Sequence, residues 1–299
     1  MRFLLLLLLF SLIFQVSAEK RILFDEAHGT YYTMEKNPDL IEFLSEKYVM
    51  DALSSPPLSS EKLQGYDILV VPDPAEDYSP SEVQAISDFV SAGGSLLIMC
   101  EADYKDYGDP DILNEILEGI DSSIRFNDDE FMDDTNNLNG RSYYPEIHTF
   151  SEHPITQNLS GFILRSGSSI TILENAVAVA SGDSDSYSED ADGMGDAPYI
   201  KGEEMVAIAI ERIGEGVVVA IGSDSLFSDR EGGFASSQNK QLAVNLFAFL
   251  AGEKAEVMRV SFLDRMKKIP PELQLGVPVF IVFVLLAFYL KKKGARPGE

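Results

Sequence analysis

The chain is poor in cysteine, histidine and basic residues. A single cysteine in 299 residues, Cys100, excludes an intramolecular disulfide. Three histidines, His28, His148 and His153, leave few imidazoles for acid–base work. The 23 lysines and arginines are outnumbered by 49 acidic residues, for a formal charge of -26. So negative a surface repels phosphate backbones, which excludes nucleic acid as a partner. It suits solubility, cation binding or a basic partner. There is no internal repeat, and no Gly-x-Ser-x-Gly elbow surrounds Ser223.

The chain has enough apolar material, 45% of its residues, to bury a real core. Both ends read as targeting segments. Met1-Arg2 precedes an apolar run from Phe3 to Phe14, and Val16-Ser17-Ala18 has the small residues of a cleavage site. Residues 1–18 are expected to be a signal peptide. Leu273 to Leu290 is uncharged and, at about 18 residues, just long enough to span a bilayer. Lys291-Lys292-Lys293 and Arg296 follow it, which favours a cytoplasmic tail. The expected organisation is a globular domain over 19–253, a linker over 254–272 stiffened by Pro270-Pro271, a transmembrane helix over 273–290 and a basic tail over 291–299. The protein is expected in the cell membrane as a single-pass chain, its globular part outside the cytoplasm.

Within the domain, Tyr66 to Tyr104 reads most clearly. Asp67 to Val71 is an apolar run ending at Pro72-Asp73-Pro74, and Ser95 to Cys100 is another. Between them Val83, Ile86, Phe89 and Val90 have helical spacing, and Gly93-Gly94 stops the helix. This is a parallel strand–helix–strand crossover with both sheet faces covered. Arg21 to Phe24 predicts the first strand, Leu40 to Leu44 a helix and Tyr48 to Met50 a second strand. Pro110 opens a helix that Gly119 ends. Residues 127–142 and 182–198 are polar and predict two exposed acidic loops. Met205 to Ile210 and Val217 to Ile221 predict a hairpin, and Leu242 to Leu250 the last helix. The fold class is α/β, a three-layer sandwich with a mostly parallel sheet.

The order of these elements resembles the class I glutamine amidotransferase-like, flavodoxin-like fold. Phe24-Asp-Glu-Ala-His-Gly29, His153-Pro-Ile-Thr156 and Val218-Val-Ala-Ile-Gly-Ser-Asp-Ser225, followed by Asn239 to Gly252, point to one branch of it. That branch comprises membrane-anchored prokaryotic proteins whose domain is similar to that of gliding-motility transporter accessory proteins and of an intraflagellar-transport subunit. The resemblance implies an extracytoplasmic binding or scaffold domain without the catalytic set, in a transporter-associated or surface complex.

Several residues are candidates for chemistry. The resemblance puts Cys100 where amidotransferases and their peptidase-like relatives carry a nucleophile. A hydrolase or amidase would then draw its base from His28, His148 or His153. The flanks depart from the pattern: Ile98 and Ala102 replace glycines, and Glu101 stands where the relatives place histidine. Its carboxylate disfavours a thiolate. His153 and His148 read as turn and surface or packing residues. Asp25, Glu26 and His28 follow the first strand, Glu101 and Asp103 a neighbouring one, and Ser223 and Asp224 the last. In open α/β sheets ligand crevices form at that carboxyl edge, so a protein partner or small ligand is expected there. No cofactor is required, although these oxygen and imidazole groups could hold a divalent cation. Asp183, Asp185, Glu189, Asp190 and Asp192 alternate with small residues as calcium ligands do, and would support cation-dependent surface-polymer binding. They lack the EF-hand arrangement, and a solvated loop is the plainer reading.

Overall fold

The computed structural model describes residues 19–102, 104 and 110–253. By internal contacts the chain divides into Met1–Glu256 and Val257–Glu299, and the described residues all fall in the first unit. The expected signal peptide, linker, transmembrane helix and basic tail, and Asp103, lie outside them. No helix among the described residues is long and apolar enough to cross a membrane.

The chain opens with strand β1 (Arg21–Asp25), helix α1 (Pro38–Ser45) and strand β2 (Val49–Leu53). A short helix α2 (Ser60–Leu63) leads to the crossover of β3 (Ile68–Pro72), α3 (Pro80–Ser91) and β4 (Ser95–Met99). α3 starts sharply because Pro80 occupies its first turn and the Glu82 carboxylate accepts the Ser79 backbone N–H at 2.9 Å. Helix α4 (Pro110–Gly119) follows, then the short strands β5 (Ile124–Phe126) and β6 (Glu130–Met132). Next come β7 (Glu146–Ile147), β8 (Thr149–Phe150), β9 (Phe162–Ile163), β10 (Ile170–Ile172), β11 (Val177–Ser181) and β12 (Tyr187–Glu189). The hairpin β13 (Val206–Ile213) and β14 (Gly216–Ile221) precedes the closing helix α5 (Asn239–Leu250).

The main sheet runs β2-β1-β3-β4-β14-β13-β10-β5, with β11 also on β13 and β8 on β11. From β2 to β14 all pairings are parallel. Those five strands have the 2-1-3-4-5 order of flavodoxin-like sheets, with β14 in the fifth place. From β14 onward every pairing is antiparallel. The expectation of a mostly parallel sheet is therefore corrected to a mixed one. The tight turn at Gly214-Glu215 reverses the chain, and the short runs of 124–181 extend the reversed half.

Alternation along the central strands builds two cores. Phe24, Val70, Leu97 and Val219 face α1 and α5, whose Leu44, Leu246 and Phe247 are buried against them. Leu23, Leu69, Leu96 and Val218 face α3 and α4 through Ile86, Val90, Leu113 and Ile116. The three-layer α/β expectation is met.

The first predicted acidic loop is not exposed. Within 127–142, Phe131 is fully buried and Asp129 and Asp133 nearly so. Pairing of β6 with β12 draws this segment in. Its carboxylates tolerate burial because backbone donors meet them: Asp129 accepts Ser169 N–H at 2.7 Å, and Asp133 accepts Asn136 N–H at 2.7 Å. The second loop, over 182–198, also carries a strand, β12.

Fully buried Asn239 fastens α5. Its Oδ1 accepts Ile163 N–H at 2.8 Å, and its Nδ2 donates to the carbonyls of Ile163, Leu226 and Gly232 at 2.9–3.1 Å. Replacing it leaves an enclosed N–H and several carbonyls without partners, each costing roughly 1–3 kcal/mol. Asn239→Ala should lower unfolding stability by about 3 kcal/mol in denaturant titrations. A loss below about 1 kcal/mol would contradict this role.

Candidate site at the carboxyl edge of the sheet

The parallel strands end together, so the loops after β1, β3, β4 and β14 share one rim. They form two neighbouring groups with different chemistry.

The first lies between the ends of β1 and β3, where the strand order reverses and ligands bind in this topology. Here the crevice is filled by the chain's own side chains. The His28 ring stacks on Tyr78 with centroids 3.7 Å apart. Its Nδ1 meets Asp25 at 2.9 Å and its Nε2 meets Glu82 at 3.1 Å. Tyr78 donates its hydroxyl to Asp25 at 2.9 Å. The His28 carbonyl accepts the N–H groups of Ala75 and Glu76, stitching the two loops together. Burial pushes the imidazole pKa down, but Asp25 and Glu82 outweigh it, so His28 titrates above its ordinary value. Burial works against the Glu82 carboxylate too, yet donors from Ser79 and Leu58, with His28, hold its pKa low. Both His28 nitrogens are committed. The loop residue Glu26 turns away and accepts Met34 N–H at 2.6 Å.

The second group joins the ends of β3, β4 and β14. Carboxylate oxygens of Asp73, Glu101 and Asp224 all lie within 4.8 Å of one another. Like charges about 4 Å apart repel by about 4 kcal/mol at an effective dielectric constant of ~20. The nearest described guanidinium, Arg165, stands 4.0 Å from Glu101 and donates instead to the Tyr32 hydroxyl at 3.0 Å. Asp224 is buried and neither of its oxygens receives a hydrogen bond from an N–H or O–H donor. Burial, then the Glu101 and Asp73 charges, drive its pKa well above the carboxylate range. Burial also raises Glu101, against the pull of Arg165. Two carboxyl groups in contact require a proton or a cation between them.

The segment Ser166-Gly167-Ser168-Ser169 roofs this group. Glu101 bridges to Gly167, and Ala102 N–H donates to the Ser166 carbonyl at 3.0 Å. The approach is so close that a Cβ on Gly167 would strike the Gly222 carbonyl, and one on Gly222 the Ser168 carbonyl. Beneath the strap Cys100 is fully buried, its thiol donating to the Glu101 carbonyl at 3.2 Å. Burial, then the Asp73 charge, lift that thiol far above its usual pKa. Ser223 is also enclosed, donating to the Arg165 carbonyl at 2.6 Å.

The other histidines are engaged elsewhere. His148 Nδ1 meets the Ser160 carbonyl at 2.6 Å on the surface. His153 precedes the 3-10 turn Pro154–Thr156, and its Nδ1 accepts Ile155 N–H at 3.2 Å. The candidate calcium ligands separate into two clusters: Asp183 and Asp185 with Asp133, and Asp190 and Asp192 with Asp196. In the first, Asp183 already accepts from Asn136 at 2.7 Å and Asp133 from Ser186 at 3.0 Å. Glu189 belongs to neither; it lies in β12, opposite Glu130 of β6.

Sequence reasoning missed Asp73, although it ends β3 as Glu101 follows β4, and the same edge rule reaches it. The neighbouring aromatic doublets Tyr31-Tyr32 and Tyr143-Tyr144 were also missed. Tyr31 receives a hydrogen bond from Arg230 at 2.8 Å, and Arg165 lies 5.3 Å from the Tyr144 ring centre. They give the rim an arginine–tyrosine border on an otherwise acidic protein.

Residues 19–183, more than half of the chain, match the family described as ABC-type uncharacterized transport system. The chain belongs to that family. No curated protein matches it. Among solved structures it is similar to the mmIFT52 N-terminal domain, with 20% identity and a TM-score of 0.64 over 79% of this chain and 100% of that one. It is also similar to a cytoplasmic protein of Salmonella typhimurium LT2, with 17% identity and a TM-score of 0.50 over 79% of this chain and 99% of that one. At such identity these likenesses speak to the fold alone. The expected transporter-accessory and intraflagellar-transport branch is supported at that level.

The buried acids predict an unusual pH response. Burial pushes Asp129 up to about 6, despite hydrogen bonds from Ser169, and Glu130 up to about 7, despite one from Tyr104. A raised acid binds more protons folded than unfolded. Its stabilisation is complete below its unfolded pKa and is lost as pH rises through the folded one. His28 acts in the same direction, and the lowered Glu82 opposes only at more acidic pH. Melting temperature should therefore rise as pH falls from about 8 to about 5. Glu130→Gln should raise it by several degrees at about pH 8 and leave it unchanged near pH 5. Equal effects at both pH values would refute the assignment.

Proposed function

We propose that this chain is a non-catalytic accessory subunit of an ABC-type transport assembly. It is anchored in the membrane by the apolar segment 273–290, with the domain outside the cytoplasm, and it offers its carboxyl-edge rim to a protein partner. The observation that carries this reading is that, among the described residues, the switch-point crevice and the surroundings of Cys100 are filled. The switch-point crevice is closed by the His28–Tyr78 stack, with both ring nitrogens bound by carboxylates. Cys100, the one candidate nucleophile of the amidotransferase type, is enclosed, its thiol held neutral by burial and by acidic neighbours. An activated cysteine needs the reverse surroundings: exposure, positive potential and a nearby base. Membership of the transport family supports the accessory role. The exposed Tyr31, beside Arg230, and Tyr143, next to the Tyr144 ring that Arg141 approaches, have the composition of interface anchors.

Two experiments test the reading. In the folded full chain, Cys100 should alkylate no faster at neutral pH than in a slowly exchanging core, and fully only on denaturation; rapid labelling would restore the cysteine hydrolase. In cells, a photo-reactive residue at Tyr31 or Tyr143 should cross-link to a subunit of the transport complex, and one at Glu215, at the opposite ends of the strands, should not. Cross-linking to such a subunit only from Glu215, or from neither end, would overturn the proposed docking face. Protease added outside intact cells should digest the domain; protection there would overturn the anchored topology.

A further inference from the structure

The second group at the rim has a composition that its surroundings do not balance. Asp73, Glu101 and Asp224 come from the ends of three adjacent strands, β3, β4 and β14, and their oxygens all lie within 4.8 Å. The nearest guanidinium among the described residues, Arg165, is 4.0 Å from Glu101, beyond hydrogen-bonding distance, and donates to Tyr32; Arg230 acts on Glu101 from farther off. Asp224 has both oxygens enclosed, and neither accepts a hydrogen bond from any described residue. A buried carboxylate usually accepts backbone or side-chain N–H groups, as Asp129 and Asp133 do a short distance away. Asp224 faces other carboxylates instead.

We propose that Asp73, Glu101 and Asp224 form a binding site for a hard divalent cation, calcium in the first instance. Three carboxylate oxygens are the donors such ions prefer, and among the described residues the group contains no nitrogen or sulfur ligand; the Cys100 thiol is turned to the Glu101 carbonyl. Calcium takes oxygens at roughly 2.3–2.6 Å, so any two of its ligands are at most about 5 Å apart, a span the three carboxylates already satisfy. Magnesium, at about 2.1 Å, would need the cluster to contract. Asp73 is held for the task by a left-handed backbone, with φ of 39°, and by its N–H donating to the Met99 carbonyl at 2.9 Å. A bound ion would link three strand ends under the 166–169 strap and replace the proton that Asp224 otherwise keeps. The site differs from the acidic loop around Asp183, whose carboxylates are already met by Asn136 and Ser186. The inference holds whether or not the domain serves a transport assembly.

The full chain, stripped with a chelator, is titrated with CaCl2, MgCl2 and MnCl2 by calorimetry and by thermal melting. Calcium should raise the melting temperature and bind roughly tenfold more tightly at about pH 8 than at about pH 6, because it displaces a proton. Asp224→Asn and Glu101→Gln should each weaken binding at least about tenfold while keeping a cooperative melt. Should Asp224→Asn fail to fold, Glu101→Gln carries the same test. Three results would overturn the site: no response to any of the three ions at millimolar concentration, a response unchanged in both rim variants, or a response lost only in Asp183→Asn. The first of these would leave the shared proton as the group's occupant.

Discussion

Much of this architecture depends on one strand, β14, lying parallel to β4 on one side and antiparallel to β13 on the other. The parallel contact carries the end of β14, at Ile221-Gly222, to the same rim as the loops after β1, β3 and β4. The antiparallel contact recruits the reversed half of the sheet, and with it the segment 166–169 that folds back over the strand ends. The two halves meet where Gly167 approaches the Gly222 carbonyl and Gly222 the Ser168 carbonyl, too closely for a side chain on either glycine. Enclosure of Cys100 and Asp224 follows from that meeting.

The rim is thus a place where a fold used elsewhere for ligand binding has been closed in two ways. At the switch point, aromatic stacking and a carboxylate–imidazole–carboxylate chain occupy the crevice and brace β1, α3 and the loop before α2. Beside it, three acids crowd beneath a strap of small residues. Both arrangements concentrate charge where the border of tyrosines and arginines begins.

The layered part of the fold was legible because it rests on short-range patterns. The crossover from Ile68 to Met99 has uninterrupted apolar strands, a capped helix and a glycine stop, and the structure follows it almost residue for residue. Segment 127–142 was not legible, since Asp129 and Asp133 look solvated until β12, over 50 residues later, pairs with β6 and donors such as Ser169 arrive. The balance of parallel and antiparallel strands was hidden for a similar reason. Residues 124–181 form runs of two to five residues that carry too little periodicity to declare a partner. At the site, the edge rule brought Asp25, Glu101 and Asp224 to one end of the sheet, but it could not separate the Asp25–His28–Glu82 chain from the Asp73–Glu101–Asp224 group. That division depends on side-chain direction at neighbouring strand ends.

One feature of α5 bears on orientation. The helix ends at the start of the parallel strands, where the Leu250 carbonyl accepts the Ser95 hydroxyl at 2.7 Å. Lys20, at the beginning of β1, lies at the same pole, paired with Asp67 at 2.7 Å. Both ends of the described residues therefore lie at one pole of the sheet, and the acidic rim at the other, so whatever meets the rim approaches a face that neither end crosses.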